Sequence, residues 1–229
     1  MPRRARLVVP GIPWHIIQRG NNRAACFYEN SDYQYFLETL AEQAVKHQCC
    51  LHAWCLMTNH VHLLLTPAAE KSAALLMKHL GQRYVQYINR TYQRSGTLWE
   101  GRFRSCLVQN SGYLLSCYRY IELNPVRAGM VTHPAEYRWT SYRSNGQGEH
   151  QNWLTPHPEY LALGNNRGTR LARYRDLFTS PVDPELISEI RSATNGNYAL
   201  GNDRFKSEIE QMVKRRVTKG KPGRPAKTQ

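Results

Sequence analysis

Cys55-Leu56-Met57-Thr58-Asn59-His60-Val61-His62-Leu63-Leu64-Leu65-Thr66 reads as the end of one strand, a two-residue turn at Thr58-Asn59, and a returning strand. Side chains alternate faces along a strand, so His60 and His62 share one side while Val61 and Leu63 point to the other. The apolar run Leu63-Leu64-Leu65 suits a central strand whose far face is covered. Two imidazoles converging from one rigid strand are half of a metal site. The same triplet also occurs as two unrelated half-exposed rings, so the rest of the chain has to supply the other half.

Working outward, Trp14 to Arg19 is strand-like and ends in the turn cluster Gly20-Asn21-Asn22-Arg23. Ser31-Asp32 opens a helix with Phe36, Leu40, Ala44 and Val45 at helical spacing. Leu51 to Met57 is the strand before the histidines. Lys71 to Tyr92 is a long helix with Leu76, Leu80, Tyr84 and Ile88 on its apolar stripe and Lys78, Arg83 and Arg90 around the remainder. After the cluster Gly96 to Arg104, Ser105 to Val108 is a fourth strand and Asn110 to Asn124 a further helix. The order βαββαβ plus one helix predicts an α+β fold: a ferredoxin-like or RRM-like antiparallel sheet with helices on one face.

That last helix carries the second chemical element, Tyr118-Arg119-Tyr120-Ile121-Glu122-Leu123-Asn124-Pro125-Val126-Arg127-Ala128-Gly129. Tyr120 and Asn124 are four apart and share a helix face, where an amide oxygen can complete a metal site beside a phenol. Pro125 limits continuation of the helix. Tyr118 lies about 200° around the helix from Tyr120, and Tyr113 about two turns away; neither has Asn124 one turn on. The His-hydrophobe-His pair followed by Tyr-x-x-x-Asn in Tyr-Ile-Glu-Leu-Asn-Pro-Val-Arg-Ala-Gly resembles the single-tyrosine HUH transposases, in particular the branch associated with repetitive extragenic palindromes. The resemblance spans roughly the first 140 residues. It implies a metal-dependent endonuclease and strand transferase acting on single-stranded DNA that contains a hairpin. Tyr120 is then the nucleophile, forming a 5′-phosphotyrosine link and a free 3′-OH, and His60, His62 and Asn124 hold Mg²⁺ or Mn²⁺. The different-class alternative is a noncatalytic RRM-like nucleic-acid-binding protein, which binds without metal.

Charge agrees with either reading: 31 Lys and Arg against 17 Asp and Glu give a net +14 over 229 residues, which points to a polyanion. Arg3, Arg4 and Arg6 at the N-terminus, Arg83 on the long helix, and Arg102 and Arg104 beside Trp99 and Phe103 are the candidate DNA contacts. The resemblance implies that the N-terminal segment reads a short guide sequence beside the hairpin. Six scattered cysteines fit reduced thiols, and strand alternation would scatter His47, Cys49, Cys50, His52 and Cys55 over both faces rather than gather them on zinc. No run is long enough for a signal peptide or a bilayer span, so the expected location is the cytoplasm. The Ser/Gly/Asn-rich stretch Trp139 to Gly148 reads as a linker. Residues 1–145 are then the catalytic domain, 146–216 a small helical region with helices at Pro184 to Ser192 and Asp203 to Arg216, and 217–229 a basic disordered tail containing Gly223-Arg224-Pro225. Whether the chain acts as a monomer or a dimer does not follow from these patterns.

Overall fold

The computed structural model describes residues 4–220. Arg3 and the Gly223-Arg224-Pro225 segment lie outside the described residues. The chain begins β1 (Trp14–Arg19), α1 (Asn30–Lys46), β2 (Cys49–Met57), β3 (His60–Pro67), α2 (Ser72–Thr91), β4 (Arg104–Val108). These four strands form an antiparallel sheet in the order β2-β3-β1-β4, the ferredoxin-like arrangement expected from the element order. α1 starts at Asn30 because the Asp32 carboxylate accepts the backbone N–H groups of Tyr28 (2.8 Å) and Glu29 (3.0 Å). Its Phe36 and Leu40 are buried together with Leu76, Leu80, Tyr84 and Ile88 of α2. Each fully buried side chain of this size contributes roughly 1.5–3 kcal/mol, which is enough to fix both helices against the Gln18 side of the sheet.

The other side of the sheet is covered as well. The chain continues with α3 (Leu114–Glu122), α4 (Asn124–Arg127), α5 (Tyr142–Gln147), α6 (Pro158–Leu161), α7 (Arg167–Asp176), α8 (Pro184–Gly196), β5 (Ala199–Leu200) and α9 (Asp203–Val213). α3 packs on β2 and β3, and α8 packs on β4 and β1. β5 adds a fifth strand, parallel to β4, with Leu107 opposite Ala199 and Val108 opposite Leu200. The helices-on-one-face expectation therefore describes α1 and α2, while α3 and α8 enclose the histidine side.

The expected linker at Trp139 to Gly148 is instead part of the packed structure. β2 lies at the edge of the sheet, and its open backbone groups are taken up by this stretch. Leu56 N–H donates to Trp139 O and Ser141 N–H to Trp54 O, both at 2.9 Å, and α5 follows immediately. The junction near residue 145 is continuous for the same reason that Glu122 is satisfied. This fully buried carboxylate of α3 accepts from Ser141 Oγ (2.6 Å), Asn145 Nδ2 (2.8 Å) and Tyr174 Oη (2.7 Å), joining α3 to α5 and α7.

Burial pushes the Glu122 carboxyl up to about 7, against the three hydrogen bonds that pull it down. A carboxyl whose pKa is raised on folding contributes fully below its unfolded value and loses that contribution as pH rises towards the folded value. From its ordinary 4.5 to about 7 the loss reaches about 3 kcal/mol and is flat beyond. Glu122→Gln keeps the shape and removes the titration. Its stability relative to wild type, measured by urea unfolding, should therefore rise between pH 4.5 and 7, while the buried histidines, common to both proteins, cancel. A difference independent of pH would contradict the buried-carboxylate assignment.

Candidate active site

Three imidazoles meet on the enclosed side of the sheet. In the antiparallel pairing, Ile17 stands opposite His62 and Arg19 opposite His60, so β1 places His15, Ile17 and Arg19 on the same face as the histidine pair of β3. The His60 and His62 ring centres are 4.9 Å apart. His15 stacks on His62 at 5.2 Å, and His15 Nε2 lies 2.9 Å from His62 Nδ1. On its other side, His15 Nδ1 lies 2.9 Å from Thr194 Oγ1 of α8. His60 Nδ1 sits 2.6 Å from Asn59 Oδ1. Because Asn59 Nδ2 donates to Arg23 O at 3.0 Å, Asn59 Oδ1 is the acceptor and His60 Nδ1 carries the hydrogen, leaving Nε2 as the lone-pair nitrogen. Burial holds all three rings neutral at physiological pH. It pushes His15 down to about 3 with help from Arg127, His60 down to about 4 with help from Arg19, and His62 well below the ordinary imidazole value.

Tyr120 faces these rings from α3, its ring centre 5.5 Å from that of His15 and 5.7 Å from that of His62, edge-on to both. The helix does not run unbroken from Tyr120 to Asn124: α3 ends at Glu122 and α4 starts at Asn124. Pro125 has no N–H to offer Ile121 O, and Asn124 Nδ2 takes that carbonyl instead (3.1 Å) together with Tyr120 O (3.0 Å). The amide nitrogen is thereby tied to backbone, and Oδ1 is the atom left for other contacts. Arg127 lies with its guanidinium carbon 4.4 Å from the Tyr120 ring centre and donates through Nη2 to Tyr120 O (2.6 Å). Among the described residues, its buried Nε and Nη1 find no hydrogen-bond partner, and burial lowers its pKa.

A cavity of about 470 Å³ opens between these elements, lined by His15, His60, His62, Tyr120 and Asn124 and by Arg19, Arg23, Arg104, Arg127 and Arg191. The four residues singled out as catalytic or metal-binding, Tyr120, His60, His62 and Asn124, thus share one cavity. Although three imidazoles meet here, no three His, Cys, Asp or Glu side chains among the described residues are disposed to hold one metal ion together, and the Asn124 amide oxygen is a further oxygen donor on the cavity wall. The candidate DNA contacts divide. Arg104 lines the cavity and donates to Asn195 Oδ1 at 2.8 Å. Arg6 lies over the Phe103 ring at 3.9 Å and Arg4 over Tyr198 at 5.0 Å, and Arg102 sits near Arg6 in the adjoining groove. Arg83 lies elsewhere, paired with Glu42 at 2.5 Å on the exposed surface of α1 and α2. Trp99 and Phe103 are mostly buried.

His15, Arg19 and Arg127 escaped the sequence reading although the signal was present. His15 and Arg19 have the right alternation in Trp14 to Arg19, and Arg127 follows Tyr120 by seven residues, two helical turns. Arg191, Thr194 and Asn195 had no such signal, because nothing in the sequence pairs α8 with the sheet.

Residues 8–124 match the family model described as "Transposase IS200 like". The chain is 25% identical over 118 residues to a protein of Haemophilus influenzae named as a REP-associated tyrosine transposase, covering 44% of this chain and 67% of that one. It also shares the fold of a solved REP-associated tyrosine transposase bound to a REP hairpin, with a TM-score of 0.56 and 15% identity over 69% of this chain and 93% of the other. With half the chain spanned by the family model, and its tyrosine and histidine pair gathered in one cavity, this protein belongs to the IS200-like family of transposases.

Proposed function

We propose that the protein cuts and joins single-stranded DNA beside a hairpin, with Tyr120 as nucleophile and a divalent ion, Mg²⁺ or Mn²⁺, held by His60, His62 and Asn124. The observation that carries this reading is the packing of the Tyr120 ring against His15 and His62 in a cavity that also holds Asn124 and five arginines. Neutral imidazole nitrogens and an amide oxygen suit a hard or borderline divalent ion and leave positions for water and a phosphate oxygen. Bound there, such an ion supplies positive charge to a scissile phosphate and to the developing charge around it.

The protein's own groups do the remainder. Arg127, whose Nε and Nη1 find no partner among the described residues and whose guanidinium lies beside the Tyr120 ring, can hydrogen-bond a phosphate and favour the phenolate during attack. Arg19, Arg23, Arg104 and Arg191 line the path of the backbone. As the Tyr120 Oη–P bond forms, the P–O3′ bond breaks. The phenol proton leaves to solvent, and the departing 3′ oxygen takes one up. The phosphotyrosine ester keeps the bond energy, so another 3′-OH can reverse the step and join ends without ATP. Hairpin DNA as the substrate is supported by the likeness to the REP-bound transposase. The noncatalytic RRM-like alternative calls for aromatic rings displayed on an open sheet face, whereas here one face is covered by α1 and α2 and the other by α3 and α8.

Tyr120→Phe should abolish cleavage and the covalent DNA adduct on a denaturing gel, by more than about a thousandfold, with hairpin affinity nearly unchanged. Tyr118→Phe and Tyr113→Phe should retain most activity, since Tyr118 is wholly buried among Tyr160 and Tyr174. An active Tyr120→Phe variant would remove the nucleophile assignment.

Cleavage should also stop in excess EDTA. His60→Ala and His62→Ala should each cost about a hundredfold or more, and Asn124→Ala less, with partial recovery in Mn²⁺, which accepts nitrogen-rich sites more readily than Mg²⁺. Undiminished turnover with EDTA would exclude the ion from the reaction.

A further inference from the structure

α8 lies outside the span matched by the family model, yet it lines the candidate cavity with Arg191, Thr194 and Asn195 and reaches His15 through the Thr194 hydroxyl. Thr194 Oγ1 lies 2.8 Å from Ile190 O one turn back, 2.9 Å from His15 Nδ1 and 3.2 Å from Cys106 Sγ. A carbonyl oxygen only accepts, so the 2.8 Å contact requires the threonine hydrogen to lie between Oγ1 and Ile190 O. Directed elsewhere, the hydroxyl would leave two oxygens facing each other at that distance with no hydrogen between them. Thr194 Oγ1 is then an acceptor, and His15 Nδ1 must carry a hydrogen to reach it. A neutral imidazole has one N–H, so His15 Nε2 has only a lone pair. The 2.9 Å contact from His15 Nε2 to His62 Nδ1 is therefore made by the hydrogen of His62 Nδ1.

We infer that Thr194 and His15 are positioning residues forming a one-way hydrogen-bond relay, His62 to His15 to Thr194 to Ile190 O, that leaves His62 Nε2 as the lone-pair nitrogen for a divalent cation. The inference rests on the proposed metal role of His62 and deepens it. A ligand imidazole has its tautomer fixed by the bond its other nitrogen makes, usually to a carboxylate or carbonyl. A second imidazole takes that role here, and its own direction is set from α8. His60 reaches the same state independently through Asn59. The reverse relay, with Thr194 donating to His15 and His15 Nε2 donating to His62, would place a hydrogen on His62 Nε2 and remove it as a ligand.

The test is the tautomer of His62 in the metal-free, full-length protein, read from ring ¹⁵N shifts and long-range ¹⁵N–¹H couplings. The relay gives a protonated Nδ1 and an unprotonated Nε2; the opposite assignment in wild type overturns it, with no variant needed. In a second arm, Mn²⁺ is titrated calorimetrically. Thr194→Val, nearly the same shape without the acceptor, should weaken Mn²⁺ by roughly tenfold and shift His62 towards Nε2–H, and Thr194→Ser should restore both to within about twofold of wild type. His15→Phe should weaken Mn²⁺ by roughly 10- to 100-fold. Equal Mn²⁺ affinity and an unchanged tautomer in Thr194→Val would overturn the relay. Failure of wild type to bind Mn²⁺ would instead count against the metal reading, with the tautomer still deciding the relay.

Discussion

The pairing of β1 with β3 is the constraint on which the rest of the site depends. With Ile17 opposite His62, the even-numbered histidines of β3 and the odd-numbered residues of β1 face the same way, and His15 meets His62 across the strand boundary. A slip of one residue would carry His15 to the side of Phe36 and Leu80, where a polar ring would have no partner, and would bring Trp14 into the cavity. The hydrophobic side enforces the register. Trp14, Ile16, Val61, Leu63 and Leu65 are all essentially fully buried, and a one-residue slip of β1 would turn Trp14 and Ile16 away from this set to the histidine side.

Once that register is fixed, the second side of the sheet cannot remain open. The side that carries the histidines also carries Ile17, Leu64 and Cys55, and of these Leu64 and Cys55 are fully buried beneath α3 and its neighbours. Covering that side desolvates the imidazoles and keeps them neutral, the form in which a histidine nitrogen can act as a ligand. It also isolates polar groups that then need partners. Glu122 finds three, from Ser141, Asn145 and Tyr174, and in doing so locks the tyrosine helix to the C-terminal half of the chain. Among the described residues, Arg127 is satisfied only at Nη2, and its remaining donors lie beside the Tyr120 ring. A buried guanidinium with unpaired donors is costly for a structural residue and suited to one awaiting an anion. Among the described residues, no helix is long and apolar enough to cross a membrane.

The sheet was legible because its signals are local. The strand alternation of His60 to Thr66, the apolar stripes of α1 and α2, and the turn at Thr58-Asn59 each follow from residues within a few positions of one another. The juxtaposition of Tyr120 with the histidines came from the paired motifs and is reproduced by the packing of α3. What sequence could not show depends on contacts between distant segments. Thr194 meets His15 across 179 residues, Asn145 meets Glu122 across 23, and Trp139 supplies the edge of β2. A stretch rich in Ser, Gly and Asn reads as a linker when its neighbours are unknown, and those same small polar residues suit an edge strand that needs hydrogen bonds. Charge alone groups Arg83 with the candidate DNA contacts; its pairing with Glu42 on the exposed surface of α1 and α2 is a contact between distant segments that the sequence does not display.

The central claim is that His60, His62 and Asn124 define a cation site beside the Tyr120 ring. Anomalous X-ray scattering from crystals of the protein grown with Mn²⁺ tests it most directly. The account predicts one strong peak inside the cavity, coordinated by Nε2 of both histidines and by Asn124 Oδ1, with Tyr120 Oη turned towards it. A peak bound through a Nδ1 atom, or strong peaks only at other places on the protein, would contradict it.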